Sequence, residues 1–285
     1  MATALTDRTR LHLETDTIHT IPVLTMAPDR AERCPAIFFI PGFGGSKEDG
    51  LRLGYQLAQA GFFFISFDAW LHGERYDRRR DHADDPAYGG IYPPESGLDT
   101  GVLFFRVIQQ CLVDVQTLID HYAADPRIDL HHSGVTGLSM GGYASFLIFA
   151  DIPTVQAAVP MIGIPQFSRR WRDLLDECAF SNPTWAVALQ RLDRQVREHT
   201  ALIAAIDPAE RLQQASPRAL LMMNCDFDAD QPKLYAVSFY RELRAHYAAN
   251  QAKLRLNIYP AGHAVTPEME RDAVDWFRRQ LLGRP

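Results

Sequence analysis

Cysteine is scarce in this sequence, and its four copies, Cys34, Cys111, Cys178 and Cys225, stand far apart. Without metal-type spacing or the density of a disulfide framework, they read as buried free thiols in a reducing compartment. Long apolar runs are missing as well. The segments 36–43 and 62–67 fall far short of the roughly 20 residues that cross a bilayer, so no membrane span is expected. The first ten residues mix Thr, Asp and Arg and lack the charged start and apolar stretch of a secretory signal, which leaves the cytoplasm as the expected location. A basic stripe is absent too. The net charge of −6 is spread along the chain, so nucleic acid and anionic membrane surfaces find no electrostatic footprint. No internal repeat is visible.

What is present is an ordinary globular composition, 47% hydrophobic and 22% charged, which argues against disorder. A chain of 285 residues can bury about three quarters of its unfolded surface, and a single α/β domain over residues 1–285 is expected. Residues 36–40 form a short apolar run stopped by Pro41 and Gly42, the pattern of a strand buried on both faces of a parallel sheet. A helix over 47–60, opened by Ser46 and closed by Gly61, leads to a second buried strand at 62–67. The polar stretch from Asp68 to about Thr100 is too long for a plain connector and reads as a functional loop. Helix 102–123, strand 133–138, helix 141–149 and strand 157–162 follow, then strand 219–223, helix 234–250, strand 254–259 and helix 267–282. That rhythm predicts a mostly parallel central sheet with helices on both faces, edged by an antiparallel pair at 11–14 and 18–26. Residues from about 165 to 215 interrupt the alternation and are expected to form a helical cap insertion.

Chemistry concentrates where strands end. Ser139 stands between Gly137 and Gly141 at a strand-to-helix junction, where a sharp turn exposes the hydroxyl and only small flanking residues let strand and helix approach. A glycine-rich loop without catalysis would show the same short match, but the strand before and the helix after favour a nucleophile. A serine hydroxyl needs a base within reach and a group to orient that base. His263, just after the last strand, is the candidate base; His131 and His132 precede the nucleophile strand and lie at its wrong end. An oxyanion hole needs two backbone N–H groups, and Met140 and Phe43 are expected to supply them, the second from the glycine-rich turn after the first buried strand. That turn lacks the Gly-Lys-Ser or Gly-Lys-Thr of a phosphate loop. Asp226, Asp228 and Asp230 compete for the acid, with a calcium-type acidic loop as the rival reading of the three together.

Residues 41–48, 68–75 and 137–142, with Asp228 and His263, resemble the α/β-hydrolase superfamily over nearly the whole chain. Within it, the loop from Phe67 to Arg75 is similar to that of bacterial carboxylesterases related to dienelactone hydrolases and prolyl-oligopeptidase-type catalytic domains. The resemblance implies cleavage of a small carboxylic ester through an acyl-enzyme, with no metal and no organic cofactor. It also singles out Asp228 as the acid, four residues before Pro232, as in related sequences. Pro41 departs from the pattern, standing where many relatives carry a histidine that steadies the oxyanion loop. His72 and Glu74 are expected to shape the floor of the site rather than react. Cap aromatics would mostly pack, with Trp171 and Trp185 offered as substrate contacts. A peptidase or amidase, a thioesterase or acyltransferase, and a non-catalytic binding protein of the same fold are the rival functions. The sequence is compatible with a homodimer and does not set the oligomeric state.

Overall fold

The computed structural model describes residues 10–29, 33–76, 97–181 and 193–284. Eight strands form one sheet: β1 (Leu11–Ile18), β2 (Ile21–Pro28), β3 (Cys34–Ile40), β4 (Phe63–Phe67), β5 (Ile128–Leu138), β6 (Val155–Met161), β7 (Ala219–Cys225) and β8 (Leu254–Tyr259). Their order is β1-β2-β4-β3-β5-β6-β7-β8. From β4 to β8 every pairing is parallel, while β2 runs against both β1 and β4, so the antiparallel pair edges the sheet as expected. The chain steps outward from β3 to β4 and then returns to the other side of β3 for β5. This reversal opens a crevice at the carboxyl ends of β3 and β5, the usual ligand position in an open α/β sheet.

Alternation explains why the apolar runs are strands. Along β3, Ala36, Phe38 and Ile40 enter one core, and Ile37 and Phe39 enter the other. The second core is closed by α1 (Leu51–Ala60) and α8 (Pro267–Leu281), through residues such as Leu57, Met269 and Phe277. The first is closed by α2 (Gly97–Tyr122) and α3 (Met140–Asp151). Every residue of α3 from Met140 to Phe149 is buried, which is the expected state of a helix that is apolar all round. The stretch Val102–Tyr122 of α2 is long and apolar enough by composition to cross a membrane. Here Val102, Phe105, Ile108, Cys111 and Val115 of that stretch are instead buried in the first core. Between β6 and β7 lie α4 (Phe167–Ser181), α5 (Asp193–Ile206) and the short α6 (Ala209–Leu212). The helix α7 (Leu234–His246) joins β7 to β8.

Several boundaries differ from the sequence reading, three of them instructively. The expected helix 47–60 is a 3₁₀ turn at Lys47–Gly50 followed by α1. The helix expected to reach residue 250 stops at His246, and a 3₁₀ segment with a non-helical Asn250 follows. The strand β5 begins at Ile128 rather than Ser133, paired with Cys34, because the polar residues Asp129 to His132 hide its first turn of pleat from an apolar-run reading.

Candidate active site

Ser139 sits on the turn between β5 and α3 with φ 53° and ψ −110°, a left-handed conformation that costs a non-glycine residue about 1–3 kcal/mol. The neighbourhood holds it there. Its N–H donates to the Met161 carbonyl at 2.9 Å, and its own carbonyl accepts from the Tyr143 N–H at 3.0 Å. The flanking glycines are a packing requirement. A Cβ on Gly137 would stand 2.6 Å from the Ile40 and Gly141 carbonyl oxygens, and one on Gly141 would stand 2.0 Å from the Ile40 oxygen. Strand and helix therefore cross main chain to main chain, which thrusts the serine side chain off the sheet edge.

The loops after β7 and β8 are laced together by main-chain bonds. Asp226 N–H donates to the Tyr259 carbonyl at 2.8 Å, and Phe227 N–H to the Ala261 carbonyl at 3.0 Å. This lacing brings His263 onto Asp228, with Nδ1 and Oδ2 2.8 Å apart. The Asp228 side chain is wholly buried, while that of His263 is about one third exposed. The other oxygen, Oδ1, accepts from the Asp230 and Gln231 N–H groups, each at 2.9 Å. A carboxylate only accepts, so Nδ1 carries the proton and Nε2 presents a bare lone pair, the form needed in a base. Asp226 points elsewhere, paired with Lys233 at the surface. Of the three competing aspartates, Asp228 is the one bonded to His263. Ligand atoms of Asp228, Asp230 and His263 also lie within 4.8 Å of one another, close enough to hold a cation. The N–H groups already directed at both Asp228 oxygens suit an acid that orients an imidazole better than a metal ligand.

The first residue of α3, Met140, offers the N-terminal amide of a helix, which has no intrahelical acceptor. Phe43 follows β3 in a turn closed by the Gly45 N–H on the Gly42 carbonyl at 3.0 Å. Both expected oxyanion donors thus stand beside the crevice between β3 and β5. The Phe43 loop is anchored just beyond its turn. Asp68, fully buried, accepts from the Lys47 N–H at 2.8 Å, from Lys47 Nζ at 3.1 Å and from the Glu74 N–H at 2.9 Å. Burial alone would lower the Lys47 ammonium, but hydrogen bonds to Glu74, Glu48 and Asp68 outweigh it and push the group above its ordinary value. This anchor was not foreseen, since Lys47 read only as a helix start. His72 is buried, its Nδ1 bonded to the Trp70 carbonyl at 2.8 Å and its ring edge-on to Phe43 at 5.1 Å. His72 is thus bonded within its own loop, while the Glu74 carboxylate accepts from Lys47 Nζ at 2.5 Å across to the Phe43 loop.

Of the expected substrate contacts, Trp171 is placed in packing: it is 3% exposed, and its Nε1–H donates to Thr200 Oγ1 at 3.0 Å between α4 and α5. Trp171 thus falls with the cap aromatics expected to pack, not with the one or two offered to substrate. Trp185 and the side chain of Cys178 lie outside the described residues, while Cys34, Cys111 and Cys225 are buried. Tyr143, one turn after Ser139, and Gln231, beside the acid, also belong to the site's surroundings and carried no motif. Their hydroxyl and amide oxygen meet at 2.7 Å.

Known proteins agree with this architecture. The Bacillus subtilis protein YitV is 23% identical over 274 residues, covering 95% of this chain and 100% of its own. The Escherichia coli esterase YjfP is 25% identical over 279 residues, covering 95% and 100%. The crystal structure of TT1662 from Thermus thermophilus superposes with a TM-score of 0.66 at 20% identity, over 95% of this chain and 98% of that one, which speaks to shared fold. Residues 21–176 match the dienelactone hydrolase family, a stretch that holds Phe43 and Ser139 and ends before Asp228 and His263. With more than half its length in that match and an α/β-hydrolase sheet to carry it, the chain belongs to the dienelactone hydrolase family.

Proposed function

We propose that this protein hydrolyses carboxylic esters through an acyl-enzyme formed on Ser139. The observation that carries the reading is the buried Asp228 carboxylate bonded to His263 Nδ1, at the same sheet edge as a serine held in a left-handed turn. Kinship with an Escherichia coli esterase supports the ester as substrate. Ser139 Oγ attacks the carbonyl carbon while His263 Nε2 takes its proton, and the oxyanion accepts hydrogen bonds from the Met140 and Phe43 amides. The imidazolium returns the proton to the departing alkoxide. Water, activated by the same Nε2, then attacks the acyl carbon and releases the acid and the serine hydroxyl. No step requires a metal or an organic cofactor. The helical segment between β6 and β7 acts as a cap over this edge.

Ser139→Ala should lower turnover of a short p-nitrophenyl ester by several orders of magnitude, to the residual rate that binding and the oxyanion hole sustain, and remove labelling by a fluorophosphonate, with the circular dichroism spectrum unchanged. Undiminished turnover in that variant would overturn the reading.

A further inference from the structure

A polar link that the chemistry above does not use ties the acid loop to the nucleophile helix. Tyr143 lies one turn past Ser139 on α3, 2% exposed, with its ring packed among Phe104, Phe105 and Phe167 at centroid distances of 5.2, 6.3 and 5.4 Å. Such a site is apolar except at one point. The Tyr143 hydroxyl donates to Gln231 Oε1 at 2.7 Å, and the backbone N–H of Gln231 donates to Asp228 Oδ1 at 2.9 Å. Asp228 Oδ2 in turn takes the His263 Nδ1 proton at 2.8 Å. An unbroken path of short bonds therefore runs from the helix that carries the nucleophile to the ring that serves it.

We propose that Tyr143 and Gln231 are positioning residues: their hydrogen bond braces the acid loop, fixing Asp228, and through it His263, relative to Ser139. The inference rests on the Ser139 mechanism proposed above. Three features favour a dedicated brace over incidental packing. A tyrosine buried this deeply among aromatic rings would be replaced by phenylalanine at no cost in contact area, so its hydroxyl is there for its partner. The partner sits in a loop, where the backbone is least constrained by regular structure. The guanidinium of Arg170, at the start of α4 and itself 8% exposed, lies beside the same hydroxyl, so the cap segment meets the brace as well. Burial pushes the phenol's pKa well above its ordinary value of 10.0 and outweighs the opposite pull of the guanidinium, so the hydroxyl stays protonated and able to donate.

A brace acts on geometry in the reaction, not on substrate capture. Tyr143→Phe keeps the ring and removes the donor; Gln231→Leu keeps the shape and removes the acceptor on a half-exposed residue, so folding is not at stake. Each should lower kcat about ten- to hundredfold with KM changed less than twofold, as expected for a slight misplacement of reacting groups. The rate of fluorophosphonate labelling at Ser139 should fall in parallel. The double variant should be no slower than the worse single one, because both remove one bond. Gln231→Glu, which keeps an acceptor for the hydroxyl, should retain most of the rate. Variants within twofold of the parent kcat, or a fall in kcat matched by a rise in KM, or multiplicative losses in the double variant, would overturn the brace. If Ser139→Ala itself stays active, it is the ester-hydrolase reading that fails, and the two failures are distinguishable.

Discussion

Replacing Asp228 by Asn removes a charge and, because of how this carboxylate is held, also inverts the imidazole. Oδ1 faces two backbone N–H groups, from Asp230 and Gln231, each at 2.9 Å. An asparagine must therefore keep its carbonyl oxygen there, or bring an NH₂ against two donors. Its NH₂ group then occupies the Oδ2 position, 2.8 Å from His263 Nδ1. Nδ1 is forced to accept, the proton moves to Nε2, and the base toward Ser139 is gone. The equivalent change in a serine triad costs about ten-thousandfold in kcat, or about 5 kcal/mol of transition-state stabilisation. The control is Asp226→Asn, whose carboxylate pairs with Lys233 at the surface, a contact worth less than about 1 kcal/mol. Its kcat should stay within twofold of the parent. The assay is initial-rate hydrolysis of p-nitrophenyl acetate, normalised by active-site titration, with thermal melts to show that both variants fold. A tenth or more of the parent rate left in Asp228→Asn, or an equal loss in Asp226→Asn, would refute the reasoning.

Two further perturbations test the frame around the site. Gly141→Ala places a Cβ 2.0 Å from the Ile40 oxygen and 2.8 Å from the Pro41 oxygen, both main chain, so urea denaturation should show a loss of about 3 kcal/mol; a loss under about 1 kcal/mol would contradict the close approach of α3 to the end of β3. Burial lowers the His72 imidazole below its ordinary value of 6.5. The unfolded chain then binds a proton that the folded chain refuses, so this contribution is complete above pH 6.5 and is lost as pH falls toward the depressed value. Unfolding free energies measured from pH 7 to pH 5 should drop more steeply for the parent than for His72→Gln, and equal slopes would show that the ring titrates normally.

Periodicity and punctuation made the sheet legible. β8 was bounded correctly at 254–259 because a charged helix and a proline flank it, and β3 was found because its alternating residues are apolar on both faces. Ser139 and His263 were legible as candidates because each stands just past a strand, where small residues take over. Asp228 needed more, since three acids alternate in one loop and only the direction of each side chain separates them. The brace from Tyr143 to Gln231 and the anchor from Lys47 to Asp68 were invisible. Each joins residues far apart in the chain, 88 and 21 positions, through polar atoms that follow no period. Trp171 was misplaced because composition marks an aromatic as valuable without telling which neighbour covers it.

The hydrogen-bonding ladder does not stop where the strands do. Ser139 N–H reaches the Met161 carbonyl, Ile162 N–H the Met223 carbonyl, and Asp226 and Phe227 the carbonyls of Tyr259 and Ala261. The rim of the crevice is thus aligned by peptide groups, which every amino acid supplies. Side chains at Met161, Met223 and Ala261 can drift without disturbing the relative heights of the loops that bear Ser139, Asp228 and His263. Such a rim is a chassis: peptide groups set the heights of these loops whatever the side chains beside them, in a chain that shares only 25% of its residues with YjfP over 279 positions.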